Sequence, residues 1–463
     1  MCALSFWPGS WGAVTSREAA LRIVYRVCEE GAYANLAANE VLGAGRLAPR
    51  ERSLAVEIAY TAVKGWNTLD WALNLCLSKR RVEDLTPWIR SVLRVGAAQL
   101  LFLSGIPAHA AVYETVELAK KYGHRGTVGL VNAVLRRLLA QKDRLPYPDL
   151  EENPVEHIAL RYCHPAWLVA RWLEQFGLEE TLELCRANNA PPPLTVRVNT
   201  LKADLPSLVE ILQGEGIGAR PTRYAPDGLE LEAFTGLERS PAFGRGLFYV
   251  QDEASMLVGH ALSPLPGSTV IDANAAPGGK TTHLAQLMGN KGAILAVDVH
   301  AGRLRLIEEN CRRLGVTCVT TVLSDAGLLG ERYAGRADYL LVDAPCSGIG
   351  VLRRRPDARW RRQPRELEEL PDLQLSLLRG SIGCLKPGGV LVYSTCSTAP
   401  EENQGVLSRF LKEADFMEYE DLTAYIPNLP EDLQEQARGG QVQFLPHRHG
   451  TDGFFIARLR RRN

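Results

Sequence analysis

Thr269-Val-Ile-Asp272 runs directly into Ala273-Asn274-Ala275-Ala276-Pro277-Gly278-Gly279-Lys280-Thr-Thr-His283, and the reading of this stretch decides the fold of the C-terminal half. A short β-rich run ends in a carboxylate, a tight loop of small residues follows, and a helix opens after it. Glycines let backbone approach a ligand closely, and a helix N-terminus offers free N–H donors. Working outward, apolar runs recur at 293–297, 318–322, 339–343 and 389–394, with helical stretches between them. Such alternation predicts a mostly parallel, doubly wound α/β sheet from about residue 251 onward.

Three classes of nucleotide site use loops of this kind. The dinucleotide fingerprint G-x-G-x-x-G is absent. A P-loop needs glycine at position 274, where this chain has Asn274, and Pro277 removes an N–H from the middle of the phosphate cradle. A P-loop ATPase stays open as a second reading, because residues 339–343 have the form of an apolar strand ending in a magnesium-binding aspartate, Asp343. Against it stands Asp298, which ends the second strand twenty positions after Gly278, where a carboxylate can accept hydrogen bonds from ribose hydroxyls. Adenosine without a triphosphate fits this better. Asp325, after the third strand, is placed to receive the exocyclic amine of an adenine, or else to cap the next helix. Lys280 is expected to face the ligand crevice.

Two cysteines stand in near-identical settings at strand exits, in Pro345-Cys346-Ser347 and Thr395-Cys396-Ser397. Ligands bind at the carboxyl ends of the strands in an open α/β sheet, so two nucleophile-grade side chains delivered there are hard to explain as packing. One thiol can attack while the other assists, and spacing leaves open which does which. Asp343 is well placed for a general-acid role. A third reading, a non-catalytic RNA-binding assembly factor, has no use for two strand-end thiols.

The remainder of the chain sets the frame. Its 463 residues, 46% apolar and 23% charged, suit a soluble globular protein of several domains. No apolar run is long enough to span a bilayer and the start lacks a basic n-region, so a cytoplasmic protein without a membrane partner is expected, as a monomer. Ten cysteines without a C-x-x-C pair argue against a disulfide framework and a structural zinc site, and no metal is expected. From 15 to 145 apolar residues recur every three or four positions, as in Ala20, Ile23, Val24 and Val27, which predicts a helical bundle with one helix opening at Thr86-Pro87 and a stop at 105–107. Pro146-Tyr-Pro148 marks a linker, two amphipathic helices follow, and 194–250 mixes short strands with one helix. The expected division is a leader over 1–13, a helical domain over 14–146, a helical linker over 147–193, a small α+β module over 194–250 and the ligand-binding domain over 251–463. Basic and acidic residues balance at 53 each, yet residues 353–365 hold seven arginines around Trp360 against one aspartate. That composition suits phosphate binding and base stacking, so Arg353, Arg354, Arg355, Arg359, Arg361 and Arg362 are expected to contact a nucleic acid, which the resemblance given below implies is RNA. The other reading pairs these arginines with the acidic stretch 366–372.

Four motifs in order carry a resemblance: Ala275-Ala-Pro-Gly-Gly-Lys280, Val342-Asp-Ala-Pro-Cys-Ser-Gly348, Tyr393-Ser-Thr-Cys-Ser397 followed by Pro400-Glu-Glu-Asn403, and Asp452-Gly-Phe-Phe455. They resemble the RNA cytosine-5 methyltransferases that use S-adenosylmethionine. The first 145 residues resemble the RNA-binding fold of the antitermination factor NusB, and the pairing is similar to the bacterial 16S ribosomal RNA methyltransferases of the RsmB (Sun, Fmu) type. The resemblance covers nearly the whole chain. It implies a Rossmann-like methyltransferase domain, an RRM-like α+β module, and S-adenosylmethionine held by Asn274, Ala275, Ala276, Pro277, Gly278, Gly279, Lys280, Asp298, Arg303, Asp325 and Asp343. It also implies methylation of carbon 5 of a specific cytosine in 16S ribosomal RNA, as by the family's cytosine-967 enzyme, through a covalent cysteine adduct at carbon 6. Cys396 is then the nucleophile and Cys346 the residue of product release. The loop commonly begins with Cys where this chain has Asn274, a difference of one side-chain contact in a loop expected to bind through its backbone. The target base has to leave any stack, so a single-stranded loop or flipped nucleotide is the expected substrate.

Overall fold

A computed structural model describes residues 14–43, 47–232, 236, 240–426 and 428–463; the leader expected over 1–13 lies outside the described residues. Two compact units make up the chain. One runs to Arg186 and takes in Arg355–Arg361; the other comprises Ala187–Arg354 and Arg362–Asn463.

The first unit is helical. Helix Ser16–Cys28 starts where the Thr15 hydroxyl accepts a hydrogen bond from the Glu18 N–H at 3.2 Å, and it buries Ala20, Ile23, Val24 and Val27 at the spacing read from sequence. Helix Pro87–Phe102 opens with its proline in the first turn and buries residues all round, among them Val92, Leu93 and Leu100. Arg94 on that helix is held inside by Asp70 and Glu29, at 2.7 and 3.0 Å. Helices Pro154–Arg161 and Ala166–Asn189 follow, the latter broken at Gly177, which sits at φ 76°.

The second unit holds two sheets. Strands β1 (Leu194–Val198), β2 (Ala219–Pro221), β3 (Gly228–Leu231) and β4 (Phe248–Val250) form an antiparallel sheet in the order β2-β3-β1-β4, backed by helix Leu205–Gly214. The larger sheet contains β5 (Thr269–Asp272), β6 (Ala293–Asp298), β7 (Val319–Leu323), β8 (Ala337–Asp343), β9 (Leu385–Thr395), β10 (Met417–Tyr419), β11 (Gln441–Phe444) and β12 (Phe454–Arg461). Its order is β10-β12-β9-β8-β5-β6-β7, with β11 paired to β12.

The parallel expectation describes β5 to β9. The antiparallel β10, β11 and β12 are an addition that the alternating pattern did not announce. Chain order reverses between β5 and β8, which pair directly, and a sheet of this kind opens its ligand crevice at that switch point. Among the described residues no helix is long and apolar enough to cross a membrane.

Candidate active site

The carboxyl ends of β5, β6, β8 and β9 carry the residues that the sequence singles out. Gly278 caps helix Gly279–Leu287 at φ 99°, a conformation side chains rarely adopt, and a Cβ there would meet Ile307 at 3.2 Å. Asp272 at the end of β5 is buried. Its Oδ2 accepts from the Thr281 hydroxyl at 2.6 Å, its Oδ1 has no partner, and burial pushes its carboxyl up to about 7. The Asn274 Oδ1 is likewise buried without a hydrogen-bond partner. Asp298 accepts from the His300 N–H at 3.0 Å and lies 3.8 Å from Arg303, whose guanidinium donates to the Ala276 carbonyl at 3.0 Å. Asp325 accepts from the Gly327 N–H at 2.8 Å and caps the turn Ala326–Leu328.

The two thiols meet. Cys346 Sγ and Cys396 Sγ lie 3.3 Å apart, each partly open to solvent. The hydrogen bond with Cys396, followed by burial and the nearby carboxylates of Glu402 and Asp343, pushes the Cys346 thiol well up, which keeps it protonated. Asp343 joins the pair: its Oδ2 accepts from Lys280 Nζ at 2.7 Å and its Oδ1 from the Ser394 hydroxyl at 2.8 Å. Burial opposes the Lys280 charge, but Asp343 and Cys396 outweigh it and the lysine is raised; its ammonium lies 5.0 Å from the centre of the Phe454 ring.

Backbone stitching holds the loops together. The Gly350 N–H donates to the Cys396 carbonyl at 3.0 Å and the Gly453 N–H donates to the Gly350 carbonyl at 2.8 Å. A Cβ at Gly350 would lie 2.0 Å from the Gly453 oxygen, so this approach requires glycine.

The arginine segment departs from the expected RNA-contacting surface. Arg353 is buried and bonds Asp452 at 2.6 Å, and Arg354 bridges Asp452 at 2.6 Å and Asp252 at 2.8 Å. In the first unit, Arg359 is fully buried and donates to the Cys163 carbonyl at 2.7 Å, the Trp360 indole donates to the Val63 carbonyl at 2.7 Å, and Arg361 pairs with Asp357 while donating to the Gly31 and Ala32 carbonyls. Arg362 pairs with Glu366 at 2.7 Å, the pairing that the acidic stretch offered. The buried guanidinium groups of Arg353 and Arg359 are committed to internal partners and offer no phosphate surface, Arg354, Arg361 and Arg362 are part-exposed in ion pairs, and Arg355 alone of the six is exposed. Residues that the sequence reading quoted without giving them a role are Asp272, Thr281, Ser394 and Glu402. All four lie inside stretches quoted for their neighbours, which is the signal that could have found them.

Residues 259–460 match the family described as 16S rRNA methyltransferase RsmB/F, residues 14–140 the NusB family, and residues 164–238 the ferredoxin-like domain of RsmF/B-like methyltransferases. The "Probable ribosomal RNA small subunit methyltransferase B" of Bacillus subtilis is 38% identical over 96% of this chain and 98% of its own length. The "Ribosomal RNA small subunit methyltransferase B" of Pseudomonas syringae is 36% identical, covering 89% of each. The solved structure of NSun6 from Pyrococcus horikoshii with SFG is 29% identical at a TM-score of 0.58, over 65% of this chain and 98% of that one. Matched along nearly its whole length at these identities, the chain belongs to the RsmB/F family of 16S rRNA methyltransferases, with a NusB-family domain and a ferredoxin-like domain ahead of the methyltransferase domain.

Proposed function

We propose that this protein uses S-adenosylmethionine to methylate carbon 5 of a cytosine in small-subunit ribosomal RNA, with Cys396 as the nucleophile. The observation that carries the reading is the pair of thiols 3.3 Å apart at the ends of β8 and β9, beside the Lys280–Asp343 pair. The residues around the 274–280 loop fit an adenosyl amino acid. Asp298 and Asp325 offer carboxylates at the ends of β6 and β7 for hydroxyl and amine donors, the loop places little side chain between backbone and ligand, and the buried Asn274 Oδ1 is an acceptor in need of a donor. When bound, S-adenosylmethionine supplies an electrophilic methyl group.

The chain's own residues make the base reactive. Cytosine carbon 5 is a poor nucleophile until the Cys396 thiolate bonds to carbon 6, which sends the ring's electron pair to carbon 5. Lys280, whose charge the neighbouring Cys396 sulfur favours, would in turn steady the attacking thiolate, and the Lys280–Asp343 pair would hydrogen-bond the ring edge. After methylation, loss of the carbon-5 proton to a base returns the electron pair and expels the Cys396 thiolate. Cys346, held as a thiol, is suited to assist that release by giving a proton rather than to attack.

Radiolabelled S-adenosylmethionine with small-subunit RNA is expected to place label on carbon 5 of one cytosine. Cys346→Ala is expected to accumulate a covalent RNA adduct, visible as a retarded band under denaturing conditions, and Cys396→Ala to form none. The reverse pattern overturns the assignment of the two thiols.

A further inference from the structure

Glu402 is fully buried on the turn Pro400–Glu402, and beyond its charge near Cys346 the reaction described above gives it no part. Four donors converge on its carboxylate. Oε1 accepts from the Ser347 N–H at 2.7 Å and from the Gln374 side-chain amide at 3.1 Å, and Oε2 accepts from the hydroxyls of both Ser347 and Ser397. Ser347 is the residue after Cys346 and Ser397 the residue after Cys396. Their hydroxyls are 3.2 Å apart.

The turn itself is anchored to the same strand end. The Tyr393 hydroxyl donates to the Glu402 carbonyl at 2.6 Å, and the Asn403 side chain accepts from the Thr395 hydroxyl and donates to the Ser397 carbonyl at 3.0 Å.

A carboxylate in the interior is costly unless its lone pairs are filled, and here protein donors meet both oxygens. All but the Gln374 bond come from the two loops that carry the thiols. An apolar side chain in its place would leave the buried Ser347 N–H without this acceptor and remove the oxygen that both hydroxyls share. The arrangement is symmetric about the thiol pair: one carboxylate reaches the backbone or hydroxyl of the residue next to each sulfur.

We propose that Glu402 is a positioning residue whose carboxylate clamps the Cys346 and Cys396 loops together through Ser347 and Ser397 and so sets the separation of the two thiols. Its consequence for turnover rests on the methyltransferase reading above; its consequence for thiol geometry does not.

The test uses the full-length protein as wild type, Glu402→Gln and Ser397→Ala, the last leaving Glu402 and its other donors in place should Glu402→Gln fail to fold. First, diamide is added without RNA. The azo bond takes up two electrons and two protons, the two thiols lose them, and a Cys346–Cys396 disulfide forms, read by peptide mapping and the loss of two hydrogens in intact mass. The wild type is expected to close this bond readily and the folded variants at least about tenfold more slowly. Second, methyl transfer to small-subunit RNA is expected to lose about a hundredfold in kcat, the scale of a misplacement near 1 Å, with KM for both substrates unchanged. Wild-type rates of disulfide closure in both folded variants overturn the clamp, whatever their activity. Slowed closure together with no methyl transfer by the wild type supports the clamp and overturns the methyltransferase reading instead.

Discussion

Asp272 shows how a single buried group writes a pH dependence into the protein. Burial, with Asp343 adding to it, raises its carboxyl from 3.8 to about 7, while Thr281 and Lys280 pull the other way. Because the folded-state value lies above the unfolded one, the neutral form favours the fold. That contribution is complete below the unfolded value and is lost as pH rises through about 7. Within this window the slope is at most about 1.4 kcal/mol per pH unit. The melting temperature of wild type is therefore expected to fall between pH 5 and pH 8 by more than that of Asp272→Asn, as measured by scanning calorimetry; parallel curves for the two proteins would remove Asp272 as the cause. The thiols follow the same logic: burial adds to the Cys396 hydrogen bond in holding Cys346 protonated, so Cys346 in Cys396→Ser is expected to react slowly with iodoacetamide at neutral pH, and fast alkylation would remove burial as a cause.

At the scale of elements, the loop before β12 ties the second unit's distant segments together. Asp452, just ahead of Phe454–Arg461, holds Arg353 and Arg354, and Asp252 holds Arg354 as well. Arg353→Ala removes one of the two guanidinium groups on the buried Asp452 carboxylate and is expected to cost about 1–3 kcal/mol in chemical denaturation. Arg355→Ala, at an exposed position, is expected to leave stability within about 0.5 kcal/mol. A comparable loss for the two would contradict the burial of Arg353. This cluster also marks where sequence reading stops. The parallel strands were legible because most carry an apolar run between turn signals, and β5 falls at the residues quoted for it. The loop and both cysteines were legible because small residues and strand-end thiols have few other uses. Composition registered seven arginines in a row of thirteen residues but could not register that Asp452 and Asp252, each about a hundred positions away, would neutralise two of them. Strands β10 and β11, of three and four residues, are too short for any periodicity to announce them.

For the whole molecule, the division into units does not follow the order of the chain. Arg355–Arg361 belongs with the N-terminal unit, where Arg359 and Trp360 are hydrogen-bonded to Cys163 and Val63. A protein beginning at Ala187 loses those partners. Limited trypsin digestion is expected to cut the truncated protein within 355–361 and to spare that segment in the full chain; equal cleavage in both would mean that the first unit does not protect it. The same membership has a consequence for biosynthesis. Residues 187–354, 168 in all, emerge from the ribosome between the two parts of the N-terminal unit. At roughly 5–20 residues per second that unit waits on the order of ten to thirty seconds for its last piece. Its helices can form early, but the acceptor carbonyls of Cys163 and Val63 stay without these donors until most of the polypeptide has been translated, so nascent chains of intermediate length are the form of this protein with the greatest claim on chaperones.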